Sequence, residues 1–358
     1  MKRIIAVLAA VMLTACQSVP GEKEKQEPVK VAADRIYDDL GDALKTDYVK
    51  FSLPDRSQIP LIKPEGIYDL KLAYVNPETD VDWLSDRVDM LYDALGFKFR
   101  GKTVKDELSA YRKDEHNDVS MLRYSQPYCR WEAALNGVSM LSDDITDTDT
   151  LFYDRSSADD LSETDVRIAN KALLLADKID SVTGGELDNV ISDIYTLHTE
   201  AGVGYEVEIR KSYKGIGIQD LFSSYNTDTE AESGNDLLAD AMQTYLDLDS
   251  GLEPEYYVGC NSYSVKSADR LDRVISFKSA CDILERELAD YVRFKFDTVM
   301  LMYEPRGEAL SSETTAPGTV SCTPKWFFIS DSSFSSGLHS INYVTVDCSD
   351  GSVEVMMP

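Results

Sequence analysis

From residue 257 onward the chain alternates strand-length apolar runs with turn signals, and that pattern restricts this part to one helix laid over a mainly antiparallel sheet. Phe277, Cys281, Leu284 and Leu288 recur at helical spacing, and the nearly continuous apolar run from Phe294 to Tyr303 reads as a buried strand. A Ser/Thr/Pro/Gly-rich loop over 307–319 leads to strand runs at 325–329 and 341–347. Asp350-Gly351 then signals a tight turn before Val353 and Val355 close the sheet.

The earlier part mixes two periods. Tyr68 to Tyr74 alternates large apolar with small or polar residues, as a half-buried strand requires. Thr79 or Asp80 caps a helix carrying Val81, Leu84, Val88, Leu91 and Leu95, which stops at Gly96. A second stripe, Val166, Ala169, Ala172, Leu173, Ala176 and Ile179, is separated by Gly184-Gly185 from a third, Leu187, Val190, Ile191, Ile194 and Leu197. Both spacings predict helices. After Gly202 the period becomes two, with Tyr205, Val207 and Ile209 on one face, and Lys214-Gly215 marks a turn into Ile216-Gly217-Ile218. From Asn226 to Tyr256 there are nine acidic residues and no basic one, with a short helix expected around Leu237 to Leu246. A domain connector is expected within this stretch. At 358 residues the chain exceeds the size at which one core stops growing, about 250 residues. The reading is therefore an α+β fold, helices packed on mainly antiparallel sheet, in two αβ domains: 36–235 and 257–358, joined by an acidic connector at 236–256.

Charge removes two classes of partner. With 64 acidic against 36 basic residues the net charge is −28, and a chain so negative lacks the clustered cations that displace counterions from DNA or RNA. The same charge repels anionic lipid, so attachment to a membrane needs another device. Lys2 and Arg3 precede the apolar run Ile4 to Leu13, which has the layout of a secretory signal and is too short to span a bilayer. Leu13-Thr14-Ala15-Cys16 resembles a bacterial lipobox. The resemblance implies a signal peptide at 1–15, lipidation of Cys16 at the mature N-terminus, and a flexible tether over 16–35. It places the chain outside the cytoplasmic membrane, on its outer face or at an outer membrane according to the envelope.

The tail Pro324-Lys-Trp326-Phe-Phe, Tyr343-Val-Thr-Val-Asp347 and Asp350-Gly351-Ser-Val353 resembles the ending of a group of lipoproteins from Gram-positive anaerobes. It is also similar to the small αβ domains called PepSY and to extracytoplasmic regulators of the YycH and YycI type. Tyr205 to Ile218, a strand ending in a Lys-Gly-Ile-Gly-Ile turn, is similar to the same relatives. The resemblance implies a lipid-anchored, non-catalytic surface module.

Five cysteines remain beside Cys16: Cys129, Cys260, Cys281, Cys322 and Cys348. A hairpin loop centred near residue 335 would set Cys322 opposite Cys348, with Cβ atoms about 4.5–5.5 Å apart, close enough for a disulfide. The alternative is two reduced thiols. Cys281, on a helical stripe, reads as a small buried hydrophobe. His116, His198 and His339 stand singly, and no zinc motif, phosphate loop or G-x-S-x-G elbow occurs. No catalytic residue, metal or cofactor is assigned. The acidic runs 143–149 and 247–253 do not reproduce an EF-hand loop and read as solvated surface. With 20 tyrosines in the chain, Tyr124, Tyr128, Trp131, Tyr256 and Tyr257 are places to look for a recognition surface. The expected role is non-enzymatic binding or regulation at the cell envelope, with an envelope protein or wall polymer as partner; the alternative is an envelope hydrolase using an acidic pair.

Overall fold

The computed structural model describes residues 28–74, 81–95, 101–105, 109–113, 121–125, 130–134, 147–152, 163–199, 202–219, 243–249, 254–259, 263–289, 291, 293–307, 319–331 and 341–356. The chain begins with β1 (Lys30–Val31), the short helix α1 (Leu40–Ala43), β2 (Phe51–Ser52) and β3 (Tyr68–Tyr74). Helix α2 (Val81–Leu95) precedes β4 (Thr103–Lys105), β5 (Ser109–Lys113), β6 (Met121–Ser125), β7 (Arg130–Ala134) and β8 (Asp147–Phe152). Helix α3 (Glu163–Thr183) precedes β9 (Asp188–Thr199), β10 (Gly202–Tyr213), β11 (Ile216–Gly217), β12 (Gln243–Asp249) and β13 (Pro254–Gly259). Next come β14 (Tyr263–Arg270), β15 (Val274–Ile275), α4 (Phe277–Glu287), β16 (Phe294–Lys295) and β17 (Thr298–Gly307). The chain closes with β18 (Thr319–Asp331), β19 (Ile341–Asp347) and β20 (Val353–Met356).

Two large antiparallel sheets organise the α+β fold. One has ten strands in the order β4-β5-β6-β7-β13-β12-β10-β9-β8, with β11 also on β10. Helices α2 and α3 cover it: Val88 and Leu91 of α2, and Ile168, Ala172, Ala176 and Ile179 of α3, share a core with Ile194, Val207 and Ile209. The other has six strands, β14-β3-β18-β19-β20 with β17 on β18. Its helix is α4, whose N-cap Ser276 accepts a bond from the Ser279 N–H and whose Phe277, Cys281 and Leu284 face Trp326, Phe328, Val344 and Val346. Trp326 is fully buried, donates from Nε1 to the Ile275 carbonyl at 3.0 Å, and meets Phe277 and Tyr37 edge-on with centroids 5.4 Å away.

The division into contiguous domains 36–235 and 257–358 is corrected by the pairing. β3 lies inside the six-stranded sheet, with Tyr68–Tyr74 on β14 along one edge and Leu70–Ala73 on β18 along the other. The segment before β3 belongs there too: Val29 N–H donates to Ser279 Oγ and Phe277 N–H to the Ile36 carbonyl. The ten-stranded sheet is built entirely from residues between β3 and β14. The six-stranded unit is thus discontinuous in sequence, with the ten-stranded one inserted. Within the expected connector at 236–256 lie β12 and the first half of β13, which are interior strands of the ten-stranded sheet. The helix expected around 237–246 is correspondingly strand from Gln243, while 237–242 lies outside the described residues.

Of the run 187–197, expected as a helix, residues 188–197 form most of β9. The reason is a bulge: opposite β10 the register runs Val207 to Ile194, Glu208 to Asp193, then Ile209 to Ile191, skipping Ser192. Ile191 and Ile194 are therefore both buried though three residues apart, a spacing that imitates a helical stripe. The run 294–303 is also divided. β16 pairs in parallel with β2, and after Phe296 and Asp297 the chain continues as β17 against β18.

Strand β18 has its second edge divided between two partners, residues 319–322 on β3 and 325–331 on β19. Pro324 sits at the handover, with its carbonyl accepting from Cys348 N–H at 3.0 Å. Because N–H and C=O of one strand residue point the same way, the donor Pro324 lacks would have faced this seam, where no ladder bond is lost.

Candidate functional site

A cleft of about 310 Å3 opens where the segment between α1 and β3 crosses the end of α4. Its position follows from local structure. Helix α1 stops after one turn, where Thr46 Oγ1 donates to the Asp42 carbonyl, and the chain then runs to β2 on the edge of β16. Glu285 of α4 accepts from the Val49 and Lys50 N–H groups at 3.0 Å each, fixing this crossing. Beneath it, Tyr48 stacks on Phe51 with centroids 4.5 Å apart, and Phe51 meets Phe296 and Phe328. Tyr48 and Phe51 are buried, so the floor is rigid aromatic packing shared with the main core.

The rim carries both signs of charge. Asp47, Asp55, Arg56 and Arg293 line the opening and all four are exposed, with Leu44, Leu53 and Pro54 supplying apolar surface between them. Arg56 is steadied by donation from Nη1 to the Ile59 carbonyl at 2.9 Å. Tyr48 turns away from acid chemistry: burial, with the neighbouring Cys281 and Asp282, pushes its hydroxyl far above the ordinary phenol range. Burial likewise raises the Cys281 thiol, which keeps it neutral and not nucleophilic. An arrangement of exposed opposite charges over an apolar base suits reversible capture of a polar ligand carrying both charges.

The sequence did not mark this cleft. Arg293 comes from the far side of α4 in the chain, and only the β2–β16 pairing brings it to Asp55 and Arg56. The segment Tyr48 to Pro54, apolar but for Lys50 and Ser52 and flanked by Asp47 and Asp55, is the one local signal present.

The residues singled out from sequence are dispersed. Cys16, Cys129, Cys260, His116, His339 and Tyr128 lie outside the described residues. The backbone register sets Tyr124 opposite Trp131, and Tyr256 and Tyr257 opposite Ala134 and Ala133, on neighbouring strands of the ten-stranded sheet. His198 lies on β9 opposite Val203 and Asp147. Among the described residues no group of three His, Cys, Asp or Glu side chains could hold a metal ion.

The expected Cys322–Cys348 disulfide is not formed. Both are free and buried, and their thiols are raised by burial. The β18–β19 register places Cys348 against Pro324, two residues from the assumed pairing, while Cys322 lies between Leu70 of β3 and Pro305 of β17. Two features separate the thiols: the β18–β19 register is shifted by two residues from a hairpin centred at 335, and Cys322 lies in the part of β18 whose edge is taken by β3.

No family model matches the chain, and no curated protein matches it. Among solved structures it is similar to the crystal structure of an uncharacterized protein from Eubacterium rectale ATCC 33656, with a TM-score of 0.56 and 11% identity. That likeness covers 90% of this chain and 99% of that one, and at such identity it is a likeness of fold.

Proposed function

We propose that this protein is a lipid-anchored, non-enzymatic binding module of the cell envelope, and that the cleft beside α4 takes a polar partner group carrying both charges, such as a peptide segment of an envelope protein or wall polymer. The observation that carries the reading is the rim of Asp47, Asp55, Arg56 and Arg293 over a buried aromatic floor. The lipobox-like Leu13-Thr14-Ala15-Cys16 supports the anchor. The first described residues bind α4 at Ser279, while the cleft-forming segment binds it at Glu285. Those sites are six residues apart on one helix, about 9 Å at 1.5 Å per residue, so the tether would deliver the cleft close to the surface from which it emerges.

Co-sedimentation with isolated envelope tests this. The Cys16→Ser protein, found in the soluble fraction, is expected to bind envelope material, and the Arg56→Ala/Arg293→Ala double variant to bind about tenfold or more weakly, as loss of two charge-assisted contacts implies. The bound polymer is expected to be recovered at unchanged mass. Shortened polymer would replace binding with hydrolysis, and retention of Cys16→Ser in membranes without added partner would remove the lipid anchor.

A further inference from the structure

The last turn of α3 and the start of the β9–β10 ladder enclose three polar side chains that the cleft does not use. Asn189 and Lys211 are direct register partners on β9 and β10, and Asp180 reaches them from α3. Lys211 Nζ donates to Asp180 Oδ2 at 2.6 Å, to Asp180 Oδ1 at 2.8 Å, and to Asn189 Oδ1 at 3.0 Å. Asn189 Nδ2 donates to Asp180 Oδ2 at 2.6 Å and to Asp177 Oδ1 at 3.0 Å. The three residues are buried, with 4% of Lys211, 7% of Asp180 and 1% of Asn189 exposed. Space for the carboxylate depends on Gly185, where a Cβ would stand 2.7 Å from Asp180 Oδ1.

A buried Lys–Asp pair alone contributes little net stability, because desolvation offsets the attraction. What distinguishes this site is the carboxamide held against the amine, with one carboxylate touching both the amine and the amide nitrogen. Those are the groups needed to exchange one amide for another: a nucleophile, an acyl carbon, and an acid/base that reaches both nitrogens. We propose that Lys211 and Asn189 become joined by an intramolecular amide bond, with Asp180 as the catalytic residue.

The steps balance without an added reagent. Lys211 Nζ gives a proton to Asp180, and the neutral amine rotates from the Asn189 oxygen onto the adjacent Cγ and forms the new C–N bond. A proton moves through Asp180 from the attacking nitrogen to Nδ2, the Cγ–Nδ2 bond breaks, and ammonia departs. Ammonia takes up the remaining proton, so a lysine ammonium and an asparagine carboxamide become a secondary amide and an ammonium ion, with Asp180 again a carboxylate. Burial serves the reaction by excluding the water that would otherwise compete for Cγ. The product fastens the base of the β9–β10 hairpin covalently, where the two sheets meet: Glu186 N–H donates to the Tyr263 carbonyl and Gln219 N–H to the Tyr303 carbonyl in the same region.

Mass spectrometry of a tryptic digest of the full chain tests the proposal. The expected result is the 179–210 peptide joined to the peptide starting at Lys211, with no cleavage after Lys211 and a mass about 17 Da below the sum for an unmodified pair, the mass of ammonia. Asp180→Asn is expected to abolish the link, and Asn189→Asp to form it with loss of water, about 18 Da, instead. Cleavage after Lys211 in the folded wild-type protein, with the 179–210 peptide at its unmodified or deamidated mass, would overturn the proposal whatever the variants do.

Discussion

Burial opposes the charge of particular carboxylates, Glu206 and Glu354 among them. Glu206 on β10 lies opposite Asp247 of β12, and burial raises its carboxyl above the ordinary glutamate range. A carboxyl with a raised folded-state value binds more protons folded than unfolded between the two values. Its contribution to stability therefore falls as pH rises from the ordinary glutamate value through the folded one. Glu206→Gln is expected to raise the urea midpoint at pH 7, with the gain shrinking as pH falls and gone well below the ordinary glutamate value of about 4.3, where the wild-type carboxyl is protonated in both states. Equal midpoints at pH 7 would count against the burial argument. Glu354 shows the opposite balance: burial opposes its charge, but Arg306 and Lys325 outweigh that and hold the carboxyl below its ordinary range. Lys325, only 3% exposed, is accommodated because Glu304 at 2.7 Å and Glu354 at 2.9 Å both pair with it.

Among the elements, α4 is the joint between the N-terminal segment and the six-stranded sheet. Its N-cap Ser276 satisfies the Ser279 N–H and also bonds Asp39, which accepts from the Lys278 N–H at 3.1 Å. The cap therefore serves two stretches of chain far apart in sequence. Ser276→Ala is expected to destabilise by about 1 kcal/mol, up to about 2 with the Asp39 contact included, measured as a shift in urea midpoint with unchanged slope. The α4 stripe of Phe277, Cys281 and Leu284 is buried as its spacing requires, while the cap at Ser276 emerged only from the structure. The β9 stripe misled for a physical reason, since a bulge at Ser192 gives a strand the three-residue spacing of a helix.

At the scale of the whole molecule, the inserted arrangement brings the cut ends together. Tyr74 and Tyr263 are cross-strand partners at the point where the chain leaves and re-enters the six-stranded sheet. Replacing residues 75–262 with a two-residue Asn-Gly turn is expected to give a protein that still folds cooperatively, because β3 and β14 then form an ordinary hairpin. Its stability is expected to fall, since Leu187, Ile216 and Ile218 leave the core they share with that sheet. A single sigmoidal thermal transition at reduced midpoint checks this, and a chain with no transition would show that the inserted sheet is required.

The sequence by itself determined what depends on neighbouring residues. Val88 and Leu91 of α2, the stripes of α3 and α4, Leu70 and Leu72 of β3, and Val207 and Ile209 of β10 are buried where their periods put them. So are the turns at Lys214-Gly215 and Gly351, where positive φ values of 53°, 83° and 81° occur. Only the tertiary structure decided which strand edge each β-strand would meet. That choice put β3 among C-terminal strands, separated Cys322 from Cys348, carried Arg293 to the cleft, and set Asp180 against Asn189 and Lys211. The reason is that a period fixes which face of an element is buried, whereas the partner on its edge is selected by packing and hydrogen-bond closure between residues far apart in the chain.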